Sequence, residues 1–461
     1  MLRKAKQIMV LFSVSLLVFG VLAGCMNKEA GGLSSGETKV LRVMGGWGDE
    51  QYVRTNWTDY YELTHDVEVE IIPMYEPVPQ QEEAEPETPM DRMKRVLTGD
   101  RPPDVIILDD LNMLSMLVEE GLLQPLDTFM EKSNFDVNNL VPAVREGIRE
   151  AGDGHSLYAL AQTFSAQALF YNKDLFSAKG LPYPTDQMTW DELAELAVQF
   201  NSGEGAERIY GFWTNQGQGF YHFLAVFASP LELSIFTDDF QGVTFNTPAW
   251  ERAVNKYIQF VQDGVFPREP DFSQEWTPEM DLFWRAFYMG RAAMAIMDSY
   301  ELQHLQNMAM YDSEAMNFDW DVVTVPVHAE APGIGGQLYM QGLMAINRNA
   351  EQPELAWDFI HFLNGDRILK MKSRQRGLFV TQESYIQNHL EQGPANIQAF
   401  YQLKPAPNPL NQAYQQGSEK VYEVIAMADQ LFQEMMKGER DVQEGLSEMQ
   451  RRGQEIMERQ N

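Results

Sequence analysis

Seven histidines, one cysteine and 67 acidic residues are the side chains with which this 461-residue chain could carry out acid–base, nucleophilic or metal chemistry. Their spacing supports none of these. The histidines (His65, His155, His222, His304, His328, His361, His389) are scattered, with no pair at i,i+4 and no H-E-x-x-H, and no phosphate-cradling P-loop occurs. Gly32-Leu33-Ser34-Ser35-Gly36 matches G-x-S-x-G in letters only, because a nucleophile elbow needs a buried strand before it and a helix after it. Asp109 and Asp110 are adjacent, whereas a glycosidase couple must flank one bond across about 5–9.5 Å. What remains is recognition chemistry. Nine Trp and eighteen Tyr provide flat apolar faces, and Asp, Gln, Ser and Thr beside them provide hydrogen bonds; together these suit a ligand with C–H faces and a belt of hydroxyls. Trp47 sits among glycines directly after an apolar run, Asp109 and Asp110 follow another, and Trp213 lies in the Gly/Gln-rich stretch Gly211–Gly217. Asp110 before Leu111 also reads as a helix N-cap. Trp190, Trp250, Trp284 and Trp357 fall on amphipathic helical segments and read as core, as does the methionine enrichment.

The elements that must position these residues alternate between strand and helix. Val40–Met44 is a buried strand that stops at Gly45, Tyr52–Leu63 a helix, Val67–Ile72 a second strand and Asp104–Leu108 a third. Such alternation predicts an α/β chain with parallel strands, in which ligands bind beyond the carboxyl ends of the strands. Further along, Thr189 with Glu192 forms a capping box, and Thr247-Pro248 opens another helix. Ala292–Met297 reads as a strand after Gly290, and the stretch from Ser418 reads as outer helices. Glu76–Asp91, rich in proline and acid, reads as a surface insertion. No sustained internal repeat is found.

Composition narrows the partners. With 35 basic against 67 acidic residues the net charge is −32, so no attractive field exists for nucleic acid. A hydrophobic share of 44% against 22% charged describes a globular chain, and one cysteine cannot form an internal disulfide. Residues 1–25 carry Arg3, Lys4 and Lys6, an apolar run, and then Leu22-Ala23-Gly24-Cys25. This resembles a bacterial lipoprotein signal, which implies cleavage before Cys25, diacylglyceryl attachment to its thiol, and anchoring on the extracytoplasmic face of the cell membrane. Residues 25–39 read as a flexible tether.

An ordered set of fragments resembles the extracellular solute-binding proteins of ABC importers, the group that contains the maltose-binding protein. The set is Pro103-Asp104-Val105, Gly121–Asp127, Tyr158-Ala159-Leu160, Leu169–Phe176, Thr189–Leu193, Phe287–Met294, Gly342–Ile346 and Ala356–Ile360. The resemblance implies a two-lobed periplasmic-binding-protein-like α/β fold with a hinge and a central interlobe cleft. By analogy the chain crosses between lobes near Tyr158–Phe164, Thr324–Pro326 and Phe379–Thr381. That gives a first lobe of 40–160 with 326–379 and a second of 161–325 with 380–461. It also implies that Asp298 and Tyr300, after the Ala292–Met297 strand, face the ligand. Thr163, Ser165, Gln167 and Gln337 near the crossings are polar candidates beside Trp47, Asp109, Asp110 and Trp213. The expected role is capture of a carbohydrate, an oligosaccharide, and its delivery to the permease subunits. The protein is expected to be a monomer without cofactor, metal or enzymatic activity. A polyamine or other cation held by Asp109, Asp110 and Asp298, and a surface sensor or adhesion lipoprotein without transport, are the alternatives.

Overall fold

The computed structural model describes residues 39–459 apart from 46–49, 75–88, 109, 215–218, 238, 268–269, 271–273, 306–316, 376, 387–395 and 407–418. Cys25, Trp47, Asp109, the tether except Lys39, and most of the Glu76–Asp91 insertion lie outside the described residues. In chain order the strands are β1 (Lys39–Gly45), β2 (Val67–Pro73), β3 (Val105–Leu108), β4 (Leu123–Gln124), β5 (Ala159–Leu160) and β6 (Thr163–Asn172). They continue with β7 (Tyr210–Trp213), β8 (Ala292–Asp298), β9 (Trp320–Val323), β10 (Leu338–Gln341), β11 (Leu343–Asn347) and β12 (Phe379–Val380).

These strands form two sheets. The first has the order β2-β1-β3-β11-β4 with β5 also on β11, and the second β10-β6-β8-β7 with β9 and β12 also on β6. β1 runs parallel to β2 and β3, as the strand–helix alternation predicts, whereas β11 is antiparallel to β3, β4 and β5. β11 therefore arrives from late in the sequence to sit inside the first sheet. Its five residues are all buried, as are the four of β3, which is what strands covered on both faces require. β6 is buried along all ten residues and pairs with four other strands.

The helices follow their local signals. Helix α1 runs from Glu50 to Glu62, with residues Arg54–Thr58 wound in a π turn. α2 (Leu111–Glu119) and α3 (Pro142–Ala151) belong to the first half. α4 (Trp190–Phe200) opens with the expected capping box: the Glu192 amide donates to Thr189 Oγ1 and the Thr189 amide to Glu192 Oε2. α5 (Pro248–Gln262) starts on an N-cap by Thr247 and α6 (Pro278–Arg285) on one by Thr277. α7 (Pro353–Leu363) returns to the first half, where the Tyr61 hydroxyl of α1 donates to Asp358 at 2.6 Å. α8 (Glu419–Met436) and α9 (Val442–Glu458) form a terminal pair that packs on α5.

Two cores result. The first gathers aliphatic side chains such as Leu41, Val43, Ile106, Leu117 and Leu343. The second is aromatic, with Trp190, Phe223, Phe227, Tyr257, Phe266 and Phe432 in mutual ring contact. Each such ring, fully buried, contributes about 1.5–3 kcal/mol. Trp190, Trp250 and Trp357 lie in the cores as expected; Trp284 is 42% exposed, because it points away from α6's buried face of Met280, Leu282 and Phe283.

The chain passes between the sheets at residues 161–162, linking β5 to β6, and at Gly342, linking β10 to β11. It passes back between α7 and β12. The second passage is not at Thr324–Pro326. That segment stays with the second half, where the Thr324 amide donates to Asp186 Oδ1 and the Val327 amide to the Met188 carbonyl. The first and third passages are stitched together, since the Thr381 amide donates to the Gln162 carbonyl, Thr381 Oγ1 to the Ala161 carbonyl, and Gln162 Nε2 to the Leu363 carbonyl.

Candidate functional site

The passages bring a set of aromatic and polar side chains together where the two sheets meet. In the antiparallel register Tyr339 of β10 pairs with Ser165 of β6, and Gln341 with Thr163. Residues directly opposite share a face, so Tyr339, Gln341, Ser165 and Thr163 lie on one side of this ribbon, and Leu338 and Met340 on the other. Gln167, next along β6, pairs with Asp298 at the carboxyl end of β8. Beyond it the chain turns: the Tyr300 amide donates to Asp298 Oδ1 at 3.0 Å, and the Ser299 amide donates to the Ala166 carbonyl at 2.9 Å. Ser299 Oγ donates to the Gly377 carbonyl, fixing the turn to the third passage. Tyr300 thereby projects its ring, 43% exposed, beside β10, where Gln341 Nε2 donates to its hydroxyl. The Tyr339 hydroxyl donates to Gln337 Oε1. From the first half, α1 contributes Tyr52, whose half-exposed ring stands edge-on to Trp57 with centroids 5.5 Å apart.

Burial displaces the titration of the cluster's acid and phenols. Burial pushes the Asp298 carboxyl up to about 6, helped by the charge of Glu301 and opposed by the Tyr300 amide and the Ser165 and Ser299 hydroxyls. Burial also raises Tyr300, with Asp298 and Tyr52 adding to the effect, and it raises Tyr339, with Tyr221 and Asp298 adding. The phenols are therefore neutral hydrogen-bond donors at physiological pH. Among the described residues neither Lys nor Arg belongs to this cluster, which offers rings, hydroxyls, amides and one weakly acidic carboxyl. On the other side of β10 a cavity of about 340 Å³ lies between the halves, lined by Leu111, Asn112 and Gly147 from one and by Glu232, Ile334 and Leu338 from the other. Among the described residues no group of three or more His, Cys, Asp or Glu is placed to hold a metal ion.

The structure brings Ser165, Asp298, Tyr300 and Gln337 into this cluster, with Thr163 at its edge. Ser165 and Gln337 are buried and form its floor. Asp110 accepts from the Met113 amide at 2.8 Å as the N-cap of α2. Trp213 requires a correction. It is wholly buried and its indole N–H donates to the Phe283 carbonyl, so it closes the base of α6 against β7 and has no face for a ligand. Residues the sequence did not single out are Tyr52, Trp57, Tyr339 and Gln341. For the last two a signal existed: Leu338-Tyr339-Met340-Gln341 alternates apolar and hydrogen-bonding residues, as a half-exposed strand does.

The family description "bacterial extracellular solute-binding protein" matches residues 50–368. A putative binding protein of Brucella abortus is 26% identical over 254 residues, 53% of this chain; the chain spans about half the length of that relative, 54%. The sn-glycerol-3-phosphate-binding periplasmic protein of Pectobacterium atrosepticum is 23% identical over 381 residues, covering 77% of this chain and 79% of that one. Among solved structures, a sugar transporter protein of Rhizobium etli in an open conformation superposes with a TM-score of 0.61 at 19% identity, covering 90% of this chain and 99% of that one. The sugar-binding protein MalE of Xanthomonas citri gives a TM-score of 0.61 at 16% identity, with 91% and 97% covered.

Proposed function

From the premise that the chain belongs to the bacterial extracellular solute-binding proteins, a family of binding proteins and not of enzymes, we propose that it captures a neutral carbohydrate between two lobes and delivers it to an ABC permease. The observation that carries this reading is the convergence of Tyr300, Tyr339, Gln341, Ser165 and Asp298 from β6, β8 and β10 at the junction of the sheets, with Tyr52 on the opposite side. Rings with hydroxyl and amide groups between them match a sugar's apolar faces and hydroxyl belt. Sugar-binding proteins among the structural neighbours, including one complexed with maltotetraose and one with mannotriose, support the same ligand class. Among the described residues of this cluster a phosphate ester such as glycerol 3-phosphate would meet the Asp298 carboxylate and no cation, and a polyamine would meet that one carboxylate without a cage of others. In this reading the first lobe is built on the first sheet and the second lobe on the second, with the boundary between β10 and β11 at Gly342. Cys25 carries the lipid that holds the protein to the outer face of the cell membrane, and residues 26–39 are the tether.

A melting-shift and calorimetry panel of maltotetraose, mannotriose, mannitol, glycerol 3-phosphate and spermidine tests the ligand class. The expected outcome is binding of one or more neutral compounds, each recovered intact. Binding of spermidine or glycerol 3-phosphate alone, or of nothing in the panel, would overturn the carbohydrate reading. For the anchor, Cys25→Ala is expected to abolish palmitate incorporation and release the protein from membranes.

A further inference from the structure

At the second passage a hydrogen-bond donor and an acceptor lie near each other and are not joined. Gln162, 1% exposed, is held by its Nε2 donating to the Leu363 carbonyl at 2.8 Å, which leaves its Oε1 pointing elsewhere; that oxygen is buried and has no partner. An acceptor buried in this way costs about 1–3 kcal/mol unless another state of the molecule satisfies it. Trp57, in the π turn of α1, is 7% exposed, and its indole Nε1 makes no hydrogen bond among the described residues. Between them stands Gly342, with φ +64°, at the joint between β10 and β11. A Cβ on Gly342 would lie 2.7 Å from Trp57 Nε1 and 3.5 Å from Gln162 Oε1. The left-handed backbone and the missing side chain together keep the space between donor and acceptor open at the point where the halves pivot.

We propose that Trp57 and Gln162 are positioning residues for ligand capture, whose Nε1–H···Oε1 hydrogen bond is unmade in this arrangement of the halves and is made when they close on a ligand. The inference rests on the solute-capture reading above. Tyr52, in edge contact with Trp57 and within electrostatic reach of Tyr300, couples the ligand to the indole. A ligand that draws Tyr52 toward Tyr300 carries α1, and Trp57 with it, toward the passage, and the new bond then stabilises the closed form alone. Gln162 is already fixed by Leu363 and by the Thr381 amide on its own carbonyl, so making the bond costs little side-chain ordering.

The test uses the purified protein with 15N-labelled indoles, with the Trp57 signal identified by its loss in Trp57→Phe. The probe is a mixture of maltotetraose and mannotriose. On saturation the Trp57 indole signal is expected to move downfield and its hydrogen exchange to slow at least about 5-fold, and Gln162→Met is expected to abolish both changes. Trp57→Phe and Gln162→Met should each weaken sugar affinity by about 5-fold, and the double variant by no more than either alone. An unmoved Trp57 signal while other indoles report binding, or losses that multiply in the double variant, would overturn the pair. If neither sugar binds, the failure belongs to the choice of ligand, and the pair is then decided in the ligand-free protein. There, Gln162→Met must leave the Trp57 signal where it is; a shift would show the bond already made and overturn the proposal.

Discussion

At the scale of single residues burial displaces the titration of groups in and around the site. Asp298 carries the clearest consequence. Its carboxyl titrates near 6 in the folded protein, above the usual carboxylate value of about 3.9 in an unfolded chain. The folded form therefore prefers the proton more than the unfolded form does, and stability falls as pH rises from about 4 to about 6. Above that range Asp298→Asn should stabilise the protein by about 3 kcal/mol and below pH 4 by almost nothing, as read from urea unfolding at pH 4 and pH 7.5. Equal effects at both pH values would refute the assignment. His222 has the opposite sign. Completely buried, with Nδ1 2.8 Å from the Tyr257 hydroxyl, it is pushed down to about 3, so the stability it contributes is complete above about 6.5 and is lost as pH falls toward 3. His222→Gln is expected to flatten the acid limb of the unfolding profile while lowering stability at neutral pH. Tyr300 is where stability and function separate: being half-exposed, its replacement by Ala should leave the melting temperature within a few degrees and reduce ligand affinity by about 1–3 kcal/mol in calorimetry.

At the scale of elements, close approach decides what the sequence must be. Gly211 in β7 packs directly under the Ala197 carbonyl of α4, and a Cβ there would overlap that backbone oxygen, which cannot swing aside as a side chain can. Gly211→Ala should cost at least about 3 kcal/mol and separate α4 from β7, visible as faster amide exchange in both. The elements also show how far the sequence could be read. The capping box at Thr189 and the N-cap at Thr247 were legible because donor and acceptor lie three residues apart. Trp213 was not, because the Phe283 carbonyl that claims its indole comes 70 residues later. The passage at Gly342 was hidden for a related reason. Leu338–Asn347 reads as one apolar stretch interrupted by glycine, and nothing local reveals that its first part pairs with β6 and its second with β3. Tyr339 and Gln341 were overlooked with it, since their role depends on Ser165 and Tyr300 across the sheet.

At the scale of the whole molecule, strand order ties events far apart in the sequence. β11 lies between β3 and β4 and also receives β5, so the first sheet has no continuous centre until residues Leu343–Asn347 take their place. The strands of the second sheet up to β10 all precede β11 in the chain. A chain emerging N-terminus first must therefore release about three quarters of its length before the first core can close, and contacts of such long sequence separation form slowly. Chains truncated before Leu343 should remain open to protease throughout residues 39–160, whereas chains ending after Asp366 should gain protection there; early protection would contradict this order. For a protein that works outside the cytoplasm, this late closure has a use at birth. The first half stays threadable while most of the polypeptide is still being made, so one strand's position in a sheet also keeps the chain fit to be secreted.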